Sequence, residues 1–126
     1  MNHRYALYDG ILIKDNHIKA CGSIHSAIKS AREKAHHLLK IEIEVEDING
    51  LKEAIEAGAD VVMLDNMSNT QIRSAVEIAK GRVILEASGN MDRKRLLEIQ
   101  DIGIDVVSMG GLIHQATWAD ISMKMR

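Results

Sequence analysis

The sequence contains no proline and no phenylalanine, and among its 126 residues only Tyr5, Tyr8 and Trp118 are aromatic. Its core therefore has to be built from Ile, Val, Leu, Ala and Met. A single cysteine, Cys21, excludes an intramolecular disulfide and fits a reducing, cytoplasmic setting. No apolar run approaches the ~20 residues of a membrane span. The opening Met1-Asn2-His3-Arg4 does not lead into a signal-peptide hydrophobic segment, so no membrane partner is expected. Charge of one sign is not in excess either: 16 basic and 18 acidic residues give a formal charge of −2. Without a basic block there is no electrostatic case for nucleic acid. The length suits one compact domain rather than two. It is roughly half of the ~250 residues that a complete eight-fold β/α barrel usually needs.

What is present is an alternation of short β-like runs and helical stripes. Gly10 to Ile13 is a short β-branched run. From Ser23 to Lys40, Ile24, Ala27, Ile28, Ala31, Ala35, Leu38 and Leu39 recur at spacings of three and four, which predicts a helix capped by Ser23. Ile41 to Glu46 alternates with period two, one face aliphatic and the other acidic. A short helix is expected over Asn49 to Ala57 with Gly58 as its stop, then a buried strand over Ala59 to Leu64. Ser68-Asn69-Thr70-Gln71 has capping-box spacing and opens a helix that Gly81 ends. Arg82 to Glu86 reads as a strand, Asp92 to Asp101 as a helix stopped near Gly103, and Ile104 to Met109 as a strand. The tail from Leu112 is expected to be helical. Gly58-Ala59-Asp60-Val61-Val62 is echoed by Gly103-Ile104-Asp105-Val106-Val107, as if one βα unit were used again. The order points to an α/β fold with a parallel sheet and right-handed crossovers.

Ligands of parallel β/α folds gather at the carboxyl ends of the strands. Here those ends carry Lys14-Asp15-Asn16-His17, then Glu42, Glu44 and Glu46, then Asp65-Asn66, then Ser88-Gly89-Asn90, then Gly110-Gly111; His3 and Arg4 stand upstream. Glycine-rich ends can present N–H groups to an anion. Glu44 and Asp65 are hard oxygen donors suited to Mg²⁺ beside phosphates. Each member also has a plainer explanation. Loops are polar and glycine-rich in any protein, the glutamate stripe reads as a solvated strand face, and Asp65 could be a helix cap or turn residue. His36 and His37 read as surface, and the methionines as core filling or surface. Only the whole constellation favours a site.

The residues of that constellation resemble a known family. His3-Arg4-Tyr5-Ala6-Leu7-Tyr8-Asp9, followed by Leu12-Ile13-Lys14-Asp15-Asn16-His17-Ile18, is similar to a segment of the quinolinate phosphoribosyltransferases. Ile43 to Glu46, Met63 to Met67, Leu85 to Gly89 and Val107 to Gly110 match further segments in the family's order. The resemblance implies about half of an α/β (TIM-like) barrel, residues 1–126 being one partial barrel domain from the C-terminal part of the enzyme. It implies conversion of quinolinate and phosphoribosyl pyrophosphate to nicotinate mononucleotide, pyrophosphate and CO₂, with Mg²⁺, in NAD biosynthesis. It also implies a dimer or larger oligomer. Carried over to this chain, Lys14, Glu44 and Asp65 are the expected catalytic residues, and Glu44 and Asp65 the expected metal pair. His3 and Arg4 would meet the quinolinate carboxylates. Ser88, Gly89 and Asn90 would form one phosphate segment, and Gly110 with Gly111 a second.

The family's N-terminal domain and the front of its barrel, with a substrate-binding threonine-arginine-lysine segment, have no counterpart here. The isolated chain is therefore expected to be inactive. Its half barrel is expected to expose two strand edges that invite self-association, unless the sheet opens into a doubly wound arrangement. A phospho-acceptor receiver domain with Asp65 as acceptor is the main alternative. A Schiff-base aldolase using Lys14, a molybdenum-transport-associated relative and an inactive assembly scaffold are others.

Overall fold

The computed structural model describes residues 10–35, 39–89, 92–109 and 112–115. The elements are β1 (Gly10–Ile13), α1 (Asp15–Cys21), α2 (Ile24–Lys34), β2 (Lys40–Val45), α3 (Ile48–Ala57), β3 (Val61–Asp65), α4 (Asn69–Ala79), β4 (Ile84–Ser88), α5 (Arg93–Ile102), β5 (Val106–Met109) and β6 (Leu112–Gln115). The strands form one sheet in the order β1-β2-β3-β4-β5-β6. Strands β1 to β5 are parallel, and β6 runs antiparallel to β5.

That order decides the architecture. Each crossover moves one strand further in the same direction, and right-handed crossovers then put every helix on one face. A doubly wound sheet reverses direction somewhere along its order, and this one does not. The winding is that of a barrel, left open. It excludes both the doubly wound alternative and the receiver domain, whose strand order reverses at its first strand.

The core lies between the helices and one face of the sheet. Ile13, Ile41, Ile43, Val45, Val62, Leu64, Leu85, Ala87 and Val107 pack against Ala27, Ile28, Leu51, Ala54, Ile72, Ala75, Leu96 and Ile99 of the helices. It is aliphatic, as the missing phenylalanine requires, and Met67 is fully buried within it. Residues at alternate positions point to the other face. Val61 and Val106 are buried there, separate from the helix-side cluster.

The echoed sequence is one structural device used twice. Asp60 donates its N–H to the Ile41 carbonyl at 2.9 Å, and its carboxylate accepts the Ile41 N–H at 2.8 Å. Asp105 does the same with Leu85, at 3.2 and 2.9 Å. Each Asp clamps the first buried residue of a neighbouring strand. The glycines before them, Gly58 and Gly103, end α3 and α5 in the left-handed conformation at φ 92° and 101°. Asp47, Ser68 and Asp92 cap the helices that follow them, and Ser68 with Gln71 completes the capping box.

Three expectations need correction, and one helix was not expected. The helix opened by Ser23 stops at Lys34 rather than Lys40; Ala35 is extended, and Lys40 already pairs with Gly10 in the sheet. Ladder pairing with β1 outweighs the continuing apolar period; His36, His37 and Leu38 lie outside the described residues. Lys14 to His17 lead into α1, which no reading of the sequence anticipated, because this helix buries no residue and so has no apolar period to read. Helix α4 turns left-handed at Lys80, one residue before Gly81. Leu112 to Gln115, the start of the expected tail helix, instead form β6, Met109 pairing with Leu112, and residues 116–126 lie outside the described residues. A two-residue Gly-Gly connection between β-branched runs is a hairpin signal, and the free edge of β5 supplies the partner. That edge is consequently occupied. Among the described residues no strand pairs the outer edge of β1.

Candidate functional site

Register places the inner-face residues in three rows. Leu12, Glu42, Val61 and Ile84 form the lowest, Glu44, Met63, Glu86 and Val106 the next, and Asp65 and Ser88 the one at the carboxyl ends. Carboxylates therefore recur in every row of a face that parallel sheets normally fill with aliphatic side chains. The glutamate stripe is a solvated face only at its end: Glu46 is exposed, Glu44 half-buried and Glu42 buried. Strand β2 lies between β1 and β3, and Glu42 is only 9% exposed. Glu86, on β4, is 2% exposed. Sequence reading missed both as interior groups, because an alternating strand looks the same whether its polar face meets water or a barrel lumen.

Glu44 and Asp65 converge at the mouth. Their strands are adjacent, and the carboxyl of Glu44 is pushed above the usual glutamate range, first by partial burial and then by the charge of Asp65. Lys14 opposes that shift, while Glu46 and Asp15 add to it. Lys14, Glu44 and Asp65 thus share one electrostatic neighbourhood, as expected from the sequence. Among the described residues neither the Glu44 nor the Asp65 carboxylate accepts a hydrogen bond. Asp65 is not a helix cap, because Ser68 fills that position. Lys14 is exposed, and its carbonyl starts α1 by accepting the N–H groups of His17 and Ile18 at 2.9 and 3.1 Å.

The next strand end is joined to this one. Ser88 pairs with Asp65 in register, and its carbonyl accepts the Asn66 N–H at 2.8 Å. Asn66 itself is left-handed at φ 57°. Gly89, at φ 131°, lies so close that a Cβ there would sit 2.9 Å from Asn66 Oδ1 and 3.2 Å from its Cα. Only glycine suits that position, so backbone N–H groups at the end of β4 can approach a ligand closely. His3, Arg4, Asn90, Gly110 and Gly111 lie outside the described residues. Asn66 was named in the sequence only as the neighbour of Asp65 and was given no role. Its signal, an Asn directly after a strand-end Asp, is too common to read without the fold.

A divalent cation suits this mouth. Burial and the neighbouring Asp65 raise the cost of ionising Glu44, and a cation beside the two carboxylates would lower it. Mg²⁺ is usually held by one or two carboxylates together with substrate phosphates. Among the described residues no group of three or more His, Cys, Asp or Glu side chains is arranged to hold a metal by itself. No helix of the described residues is long and apolar enough to cross a membrane.

Comparison with known proteins agrees with this geometry. A family model described as the C-terminal domain of quinolinate phosphoribosyl transferase matches residues 1–124. A probable carboxylating nicotinate-nucleotide pyrophosphorylase of Bacillus subtilis is 46% identical over 122 residues, 97% of this chain and 42% of that protein. The human carboxylating nicotinate-nucleotide pyrophosphorylase is 36% identical over 98% of this chain and 43% of its own length. Among solved structures, the nicotinate-nucleotide pyrophosphorylase of Francisella tularensis superposes with a TM-score of 0.76 at 42% identity, covering 86% of this chain and 40% of that one. The chain spans about two fifths of the length of the curated relatives it matches.

Proposed function

The chain belongs to the quinolinate phosphoribosyltransferase family, in its C-terminal domain, and from that premise we propose that it supplies the Glu44–Asp65 side of a carboxylating nicotinate-nucleotide pyrophosphorylase active site. The reaction joins quinolinate to the ribose carbon of phosphoribosyl pyrophosphate, releases pyrophosphate, and then loses one ring carboxylate as CO₂ to leave nicotinate mononucleotide. The convergence of Glu44 and Asp65 beside the Ser88–Gly89 segment carries this reading. Both substrates are anions, so a pair of carboxylates has no use in gathering them directly. The pair is useful for holding Mg²⁺ against the diphosphate and for favouring positive charge as it develops on the ribose. When bound, Mg²⁺ would neutralise the charge on the departing pyrophosphate. Lys14 would meet substrate anions, and the N–H groups around Gly89 would receive phosphate oxygens. His3 and Arg4, with Asn90, Gly110 and Gly111, complete the proposed substrate contacts. A cytoplasmic enzyme is the setting that fits the exposed thiol of Cys21.

The relatives are more than twice as long as the matched part, so this chain alone is expected to bind and not to turn over. Calorimetry with phosphoribosyl pyrophosphate should show affinity that depends on Mg²⁺ and is lost in Glu44→Gln. Absence of binding in the unaltered chain would sink the assignment. Robust formation of nicotinate mononucleotide by the chain alone would contradict its expected inactivity. The outer edge of β1, which no strand among the described residues pairs, further suits association into a dimer or larger species, which light scattering would detect; a monomer at high concentration would count against it.

A further inference from the structure

The loop that follows Asp65 is fastened from outside at nearly every position. The Asn66 N–H is held by the Ser88 carbonyl at 2.8 Å, and Met67 is buried. Ser68 caps α4. The Met67 carbonyl accepts from the guanidinium of Arg95, and Asn69 Oδ1 accepts from Arg95 Nε at 3.2 Å. Arg95 stands in the first turn of α5, where Asp92 accepts its N–H at 2.8 Å. Its side chain therefore reaches from the helix that follows the Ser88–Gly89 segment back to the loop that follows Asp65. Gly89 is fitted against Asn66 from the opposite side.

A guanidinium bonded to a main-chain carbonyl and a side-chain amide fixes distance and direction together, which a lysine ammonium on a flexible stem does not. Asp65 and the Ser88–Gly89 segment are the two groups that a metal-bound diphosphate would have to meet at once. Misplacement by about 1 Å is enough to cost on the order of a hundredfold in such arrangements. We infer that Arg95 is a positioning residue, locking the Asp65 loop and the Ser88–Gly89 segment into the single geometry that accepts a Mg²⁺–diphosphate. This rests on the function proposed above.

The test is calorimetric titration of inorganic pyrophosphate, with and without Mg²⁺, into the unaltered chain, Arg95→Ala, Arg95→Lys and Lys94→Ala, alongside thermal melts. In Arg95→Ala the Mg²⁺-dependent affinity should fall at least tenfold, while the weaker affinity without Mg²⁺ stays within about twofold. Arg95→Lys should recover melting temperature without recovering the Mg²⁺-dependent affinity, and Lys94→Ala should match the unaltered chain. A folded Arg95→Ala that keeps its Mg²⁺-dependent affinity overturns the inference, as does equal loss with and without Mg²⁺, which marks a purely structural role. If Arg95→Ala fails to fold, full Mg²⁺-dependent affinity in Arg95→Lys overturns it instead. An unaltered chain that binds no pyrophosphate under either condition overturns the functional reading, and the inference with it.

Discussion

The two ends of the parallel sheet use the same residue types in opposite ways. At the amino ends, the carboxylates of Asp60 and Asp105 are consumed, each accepting the first buried N–H of a neighbouring strand. Arg32 adds to Asp60 there, bonding its carboxylate at 3.1 Å and the Gly58 carbonyl at 2.8 Å. At the carboxyl ends, Glu44 and Asp65 make no hydrogen bond among the described residues, and burial together with Asp65 raises the cost of charge on Glu44. The first arrangement lowers the energy of the fold. The second raises it, and persists because the surrounding sheet holds it in place. Acidic residues alone therefore do not locate a site in this fold. What locates it is whether the carboxylates are already satisfied.

Three substitutions test this contrast. Asp60→Ala should have the largest effect on stability, because it leaves the fully buried Ile41 amide without its acceptor. A loss of about 2–3 kcal/mol in urea unfolding is expected, and a change within 0.5 kcal/mol would erase the distinction between the two ends. Glu44→Gln should act in the other direction. The folded-state pKa of Glu44 lies above the usual 4.5, so between 4.5 and that raised value the folded state holds more protons than the unfolded one. Stability therefore falls as pH rises through that window. The glutamine variant should lose this fall and be more stable than the unaltered chain near neutral pH; melting curves across pH would show whether it does. Lys19→Ala should do least. The Asp15–Lys19 pair of α1 is 3.1 Å apart but exposed, and such pairs contribute about 0.3–0.5 kcal/mol. A larger change would mean that α1 is more tightly integrated at the mouth than its lack of buried residues suggests.

Much of this molecule is legible before it is folded. Ser68 and Gln71 announce their capping box by spacing alone, and Gly58 and Gly103 announce helix ends. The aliphatic stripe of α2 gives its core-facing Ala27 and Ile28. The resemblance to a family put Lys14, Glu44, Asp65, Ser88 and Gly89 on the page, and the fold brings their strand ends together. The failures share one cause. Helix α1 buries nothing, so it leaves no period. Helix α2 loses its last turns to a ladder with β1, and β6 exists only because β5 offers an edge. Glu42 and Arg95 were passed over because a strand glutamate or a helix arginine has no sequence mark of its partner.

The sequence by itself determined the alternation of strands and helices, the caps that start and stop them, and the family to which the chain belongs. These are set by residues within a turn or two of each other, or by motifs read as text. The tertiary structure alone decided that the strands wind in one direction and leave an inner face. It also decided that the glutamates of β2 point into that face, and that Glu44 meets Asp65, 21 positions away, with no cap or amide among the described residues to satisfy either. Parallel pairing joins residues separated by a whole helix, and no local pattern carries that information. The chemistry of this chain lies in those long-range pairings.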